Sequence, residues 1–285
     1  MLAIDDHVHI MPWELIKPDA LKAFLKTHGA KFEWIRATTS DPDKFARYLD
    51  ECGVARAVLI NYVSPEVIGF DERVNEFSAW FAKTHPDRFI PFGGLDPRNA
   101  NDIAGRFDRL VEMGIRGIKI HPVHSLMRPN AYTDDARYAG LATIYEKAQE
   151  HNLPVMIHTG TSIFPLARNK FGDPIFVDDL IVDFPKLRII IAHGGRPLWM
   201  ETAFFLIRRS KNVFLDISGI PPASLLRYFP RLDEIADQVM FGSDWPGPGV
   251  RDIADNLNRF NALHLSAETK QKILHDNAER LFSNE

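Results

Sequence analysis

Five side chains suited to holding a metal ion close short apolar runs at widely separated places in this chain. His7 and His9 end Leu2-Ala3-Ile4-Asp5-Asp6-His7-Val8-His9, and His158 ends Pro154-Val155-Met156-Ile157. His193 ends Ile189-Ile190-Ile191-Ala192, and Asp244 ends Val239-Met240-Phe241-Gly242-Ser243. Imidazole with carboxylate is a common shell for zinc, and a catalytic ion keeps one position open. In a strand, residues i and i+2 project to the same face, so His7 and His9 point together and can grip one cation. Side chains so far apart in sequence meet only if the strand ends converge. A closed parallel barrel gathers the carboxyl ends of all its strands on one face, where such barrels place their chemistry.

The rest of the chain supplies the strands that such a barrel needs. Apolar runs read as strands at Leu2–His9, Ala55–Asn61, Phe89–Leu95, Gly117–His121, Pro154–His158, Arg188–His193, Val213–Ser218 and Val239–Asp244. Continuous runs such as Ala57-Val58-Leu59-Ile60 suit strands covered on both faces. Between them lie helical stripes, Phe70/Val74/Phe77/Phe81 and Leu141/Ile144/Tyr145/Ala148. Asp41-Pro42 and Asp173-Pro174 have the form of an N-cap followed by proline, and Gly53 and Gly114 sit where helices end. The expected fold is α/β, one (β/α)8 barrel over residues 1–285, with no linker or finer repeat.

The motifs are also specific in order and spacing. Asp5-x-His7-x-His9 on the first strand, a lone histidine closing the fifth, His193-Gly194-Gly195 after the sixth, and Phe241-Gly242-Ser243-Asp244-Trp245-Pro246 on the eighth resemble the amidohydrolase superfamily. Within it the chain is most similar to the amidohydrolase-related branch that includes the aminocarboxymuconate-semialdehyde decarboxylase group, over nearly its whole length. The resemblance implies a distorted (β/α)8 TIM barrel with one divalent metal, Zn2+ first and Mn2+ as the alternative, held by His7, His9, His158 and Asp244. It also implies that His193 activates or holds the water. A bound dication lowers the pKa of its water to roughly 7, and a neutral imidazole can take the proton. Asp244 would then shuttle it to a leaving group. Asp5 is either a carboxylate that fixes an imidazole or part of the barrel floor.

Lys119 and His121 share the inward face of the fourth strand and are additional metal or substrate contacts. Other branches of the superfamily carry a carboxylated lysine there that bridges two metals. An unmodified Lys119, paired with Asp216, Asp244 or a substrate carboxylate, is the favoured alternative. Two long connections, Ile10–Ser40 and Thr159–Gly172, emerge on the same face and are candidate substrate walls. The substrate-contact candidates are Trp13, Trp245, Arg128, Arg168 and Arg196, the arginines as clamps for a carboxylate. For Trp13, Phe24 and Phe32 the alternative is to pack down and plug the barrel mouth. His124 can reach the pocket from the loop after the fourth strand. His28, His85, His151, His264 and His275 are read as structural or surface groups.

Composition narrows the field. With 45% apolar and 25% charged residues and a net charge of -4, the chain has no basic stripe for nucleic acid. It has no apolar run long enough for a membrane, no leader signature and a single cysteine, Cys52, so a cytoplasmic protein is expected. No Gly-x-Ser-x-Gly elbow, phosphate loop or dinucleotide fingerprint is present. The expected partner is a small molecule, and the family resemblance allows a homodimer.

The reading favoured by these residues is metal-dependent hydrolysis of a C–N or C–O bond in a small, carboxylate-bearing amide, cyclic amide or lactone. The first alternative is metal-dependent non-oxidative decarboxylation of a small aromatic or unsaturated acid. The second is a binding scaffold without turnover, against which stands the several kcal/mol cost of burying so many polar ligands idle.

Overall fold

Alternating apolar runs and amphipathic segments fold as the pattern dictates. The computed structural model describes residues 2–283, so the outermost residues of the 1–285 span lie outside it. The strands are β1 (Ala3–His9), β2 (Val54–Ile60), β3 (Phe89–Gly93), β4 (Gly117–Ile120), β5 (Val155–His158), β6 (Ile189–Ala192), β7 (Val213–Asp216) and β8 (Val239–Met240). They lie side by side in sequence order, each parallel to the next. Beyond β8, Val8 bridges Trp245, and the Asp6 and His9 N–H groups donate to the Phe241 and Trp245 carbonyls at 2.9 and 2.8 Å. In return the Asp244 N–H donates to the His7 carbonyl at 2.8 Å. The seam that closes the barrel therefore runs through His7, His9 and Asp244.

The barrel is distorted where β1 meets β2, whose register shifts between Asp5 and Val8. Strict alternation would turn Asp6 away from its neighbours, yet Asp5, Asp6 and His7 are all wholly buried. Asp5 Oδ1 accepts the N–H groups of His7 and Ser243 at 3.1 and 2.9 Å, so it ties the seam together as part of the barrel floor.

The helical stripes pack as their period requires, with one split. On Gly140–Glu150 all four expected residues are buried, whereas Phe70 precedes the helix Val74–Lys83 and bridges Ser64 instead. Asp41 accepts the Lys44 N–H at 3.0 Å, and Gly53 ends that helix with φ 76°, a conformation open to glycine without strain. Asp173 accepts the Ile175 N–H at 3.0 Å and caps the 3-10 turn Pro174–Phe176, which runs directly into the helix Val177–Asp183. The Ile10–Ser40 connection is filled by the helices Pro18–His28 and Phe32–Thr39, while Thr159–Gly172 is irregular up to its last turn. No helix among the described residues is long and apolar enough to cross a membrane.

Candidate metal centre and cavity

The strand ends β1, β5, β6 and β8 deliver their polar residues to one point. Candidate ligand atoms of His7, His193 and Asp244 all lie within 4.8 Å of one another. His9 joins them through Nε2, 3.2 Å from Asp244 Oδ1, and His7 Nε2 is 3.6 Å from the same oxygen. The His158 ring stands against His193, centroids 4.7 Å apart, outside the tight triad. His193 thus sits in the tight cluster, with His158 beside it and its Nε2 buried without a hydrogen-bond partner.

The hydrogen bonds leave lone pairs where an ion would need them. His7 Nδ1 donates to Asp216 Oδ2 at 2.6 Å, and His193 Nδ1 donates to the Ser218 carbonyl at 2.9 Å. With those protons assigned to Nδ1, each Nε2 keeps its lone pair. The Nε2 atoms of His7 and His158 are buried without a hydrogen-bond partner, a costly state that a cation would relieve. The donor set fits a divalent ion.

Burial and charge prepare these groups for such an ion. Burial pushes the His7 imidazole down to about 4 and that of His193 down to about 3, and holds His158 well below its usual value. Asp244 is buried too, which alone would raise it, but His193 and the hydrogen bond from His9 hold it far below the usual carboxylate range. Neutral imidazoles beside an ionised carboxylate are the protonation states that metal binding requires. His193 (φ 64°) and Asp244 (φ 65°) both adopt the left-handed backbone region, which costs a non-glycine residue about 1 kcal/mol or more. Such strain, held by the surrounding fold, clusters at functional sites.

Above the centre lies a cavity of about 360 Å³. Met11, Phe24, Ile68, Phe70 and Phe164 form its apolar side, and Tyr62, His121 and His124 a polar wall. Lys119 enters from β4 with Nζ buried and without a hydrogen-bond partner among the described residues. Burial lowers its amine to about 8 against the pull of Asp216 and Asp244. Arg196 lines the cavity with Nη2 3.9 Å from Asp244 Oδ2 and its Nε buried and unpartnered. Gly219 (φ 62°) makes room for it, since a Cβ there would stand 2.6 Å from Arg196 Nη2 and 2.9 Å from Asp244 Oδ2.

The other substrate-contact candidates lie elsewhere. Arg128 pairs with Asp134 and covers the Phe176 ring, and Arg168 is exposed on the loop after β5. Trp13 donates from Nε1 to Thr39 Oγ1 at 3.0 Å and packs edge-on to Phe24 and Phe32, so it plugs the mouth beside the cavity. Trp245 is wholly buried among Trp34, Phe45 and Tyr48, behind the strand that presents Asp244. The chain turns Asp244 inward, so its neighbour faces the outer core. Outside the cavity lining fall His28, His85, His151, His264 and His275.

Three residues that do matter here were not singled out as ligand supports or wall groups. Asp216 and Ser218 close β7 as His193 closes β6, and Ser218 Oγ donates to Asp216 Oδ2 at 2.7 Å. The signal was present, a polar residue ending the run Val213-Phe214-Leu215. Tyr62, just past β2, carried no comparable mark.

Comparison with known proteins agrees with this architecture. The chain is 24% identical over 288 residues to gamma-resorcylate decarboxylase from Polaromonas sp. (strain JS666 / ATCC BAA-500), covering 84% of this chain and 86% of that one. An uncharacterized TIM-barrel protein from Bordetella bronchiseptica superposes with a TM-score of 0.76 at 22% identity, covering 99% of this chain and 98% of that one. The 5-carboxyvanillate decarboxylase of Novosphingobium aromaticivorans, complexed with manganese and 4-hydroxy-3-methoxy-5-nitrobenzoic acid, gives 0.72 at 18% identity, covering 99% and 96%. The family model described as amidohydrolase matches residues 4–283, and the chain belongs to that family.

Proposed function

We propose that this enzyme is a metal-dependent, non-oxidative decarboxylase of small aromatic carboxylic acids. The observation that carries the proposal is Arg196, whose guanidinium lies 3.9 Å from Asp244 at the edge of the candidate metal centre, with Nη1 donating to the Thr161 carbonyl at 3.4 Å and Nε buried without a hydrogen-bond partner. A guanidinium in that position can hold a carboxylate by paired hydrogen bonds. In decarboxylation the clamped carboxylate is itself the reacting group and must sit at the metal centre, whereas in hydrolysis of a carboxylate-bearing lactone or amide the reacting group at the metal is the ester or amide carbonyl. This reverses the ranking drawn from the residues alone, and the aromatic acids named for the two related decarboxylases support the reversal.

The reaction breaks the bond between the ring carbon and the carboxylate. The electron pair stays on the ring carbon, a proton joins it there, and carbon dioxide leaves. The divalent ion, when bound, supplies positive charge that holds substrate oxygens and offsets the charge developing on the ring. His7, His9, His193, His158 and Asp244 are the residues that would hold it. Mixed imidazole and carboxylate donors suit zinc and manganese alike, and the manganese in the related complex favours manganese. Arg196 orients the carboxylate, and Lys119 holds a proton at Nζ that balances nearby negative charge. Phe24, Phe70 and Phe164 offer flat apolar surface to a ring.

The test is a panel of benzoates, lactones and amides assayed with protein reloaded with Mn2+ or Zn2+. The expected result is carbon dioxide released in proportion to acid consumed. Ring-opened or deamidated product without carbon dioxide would return the assignment to hydrolysis.

A further inference from the structure

The cavity wall beside Phe70 and Phe164 carries a hydrogen-bonded chain that the metal centre and the carboxylate clamp leave unused. Tyr62 Oη lies 2.9 Å from His124 Nδ1, and His124 Nε2 lies 2.7 Å from Ser162 Oγ. All three residues line the cavity. His124 is stacked flat on His121 at 3.6 Å between centroids, and His121 in turn on His158 at 3.8 Å, so the ring of His124 cannot swing away.

The His124 tautomer sets the direction of this chain. His124 is buried and held neutral, so one of its nitrogens donates and the other accepts. Ser162 Oγ accepts the Phe164 N–H at 3.3 Å, and its hydroxyl proton is assigned to the 2.7 Å bond with His124 Nε2. His124 Nδ1–H then donates to Tyr62 Oη. Burial keeps the Tyr62 phenol protonated, and in this arrangement its own O–H has no partner in the chain. Tyr62 lies between His9, at 6.3 Å, and His121, at 4.8 Å, over the open cavity.

We infer that Tyr62 donates its O–H to an uncharged oxygen substituent on the substrate ring, a hydroxyl or methoxy group, with His124 and Ser162 as the positioning residues that aim it. Of the cations lining the cavity, Arg196 stands 3.9 Å from Asp244, and Lys119 feels the pull of Asp216, Asp244 and Asp6. The wall around Tyr62 is neutral, so it does not suit a second carboxylate. A buried group built to hydrogen-bond a substrate oxygen discriminates strongly against the analogue that lacks it. The inference rests on the aromatic-acid reading of this cavity and adds the residue that selects among such acids.

The test is equilibrium binding, which requires no turnover. Manganese-loaded protein is titrated with benzoate and with its 2-, 3- and 4-hydroxy and methoxy derivatives by calorimetry. Wild type is expected to prefer at least one oxygenated isomer over benzoate by about tenfold, the worth of one good hydrogen bond. Tyr62→Phe should bind benzoate as wild type does and lose that preference. Ser162→Ala should weaken the preference severalfold and Ser162→Thr restore it, with bound manganese unchanged in each, which a merely structural role would not produce. A preference that survives Tyr62→Phe overturns the assignment of Tyr62 alone. Failure of every benzoate to bind overturns the aromatic-acid reading with it.

Discussion

Asp216 Oδ2 stands 2.6 Å from His7 Nδ1, so a carboxylate at the end of β7 sets the tautomer of an imidazole on β1 across the barrel seam. This bond leaves His7 Nε2 with its lone pair toward Asp244. Replacing Asp216 by asparagine keeps the shape and removes the charge that supports the imidazole. Metal affinity should fall about 10- to 100-fold, the usual effect of losing such a supporting carboxylate. Competition with a chelator of known affinity measures this, and unchanged affinity would mean that Asp216 serves the fold only.

Arg196 is the second group to test. Arg196→Ala should retain metal and lower kcat/KM by about 30-fold, corresponding to ~2 kcal/mol for a partly exposed charge that meets a carboxylate. Arg196→Lys should recover little, because an ammonium cannot form the paired bonds of a guanidinium. Steady-state kinetics on the decarboxylated acid decides this. Arg168→Ala, on the exposed loop, should leave both constants unchanged.

The pH dependence of stability follows from the buried histidines. In the metal-free protein, burial holds His7, His121, His124, His158 and His193 neutral, with folded values far below the unfolded 6.5. The unfolded chain therefore takes up protons that the folded chain refuses, and stability falls as pH drops from 6.5 toward about 4. Each such proton is worth ~1.4 kcal/mol per pH unit. Asp5, which burial raises to about 7, and Asp6, which burial and Asp216 raise, act in the opposite direction over this range. The five histidines outnumber them, so the net slope is a loss on acidification. Urea midpoints of metal-free protein at pH 7, 6 and 5 should decline in that order, and a rise would contradict the neutral states assigned here.

Trp245 separates packing from chemistry. It is wholly buried, and Trp245→Ala should cost ~3–5 kcal/mol of folding stability through the cavity it leaves. Trp245→Phe should cost less and leave KM unchanged, since the ring lies behind the strand end rather than in the cavity. Chemical denaturation and a substrate titration together check both halves of this prediction.

Much of this was legible in the residues because a polar group closing an apolar run is a local signal. Each of the eight expected strands overlaps an observed one, and His7, His9, His193 and Asp244 meet as convergence of strand ends requires. What was not legible depends on paths through space. Which of Arg128, Arg168 and Arg196 reaches the cavity is decided by where the loops after β4, β5 and β6 run. The inward place of Asp6 comes from a register shift that alternation does not encode. Trp245 sits in the core because Asp244 takes the inward side of the same short segment. Tyr62 gains its role from His124, 62 residues away, a pairing that no spacing announces.

The central claim is that side chains from four strand ends hold one divalent ion, and a manganese titration of metal-stripped protein followed by electron paramagnetic resonance tests it directly. A single tight site per chain is expected, lost in His7→Ala and in Asp244→Ala, with both variants still folded by circular dichroism. Two tight sites per chain, or binding that persists in both variants, would contradict it.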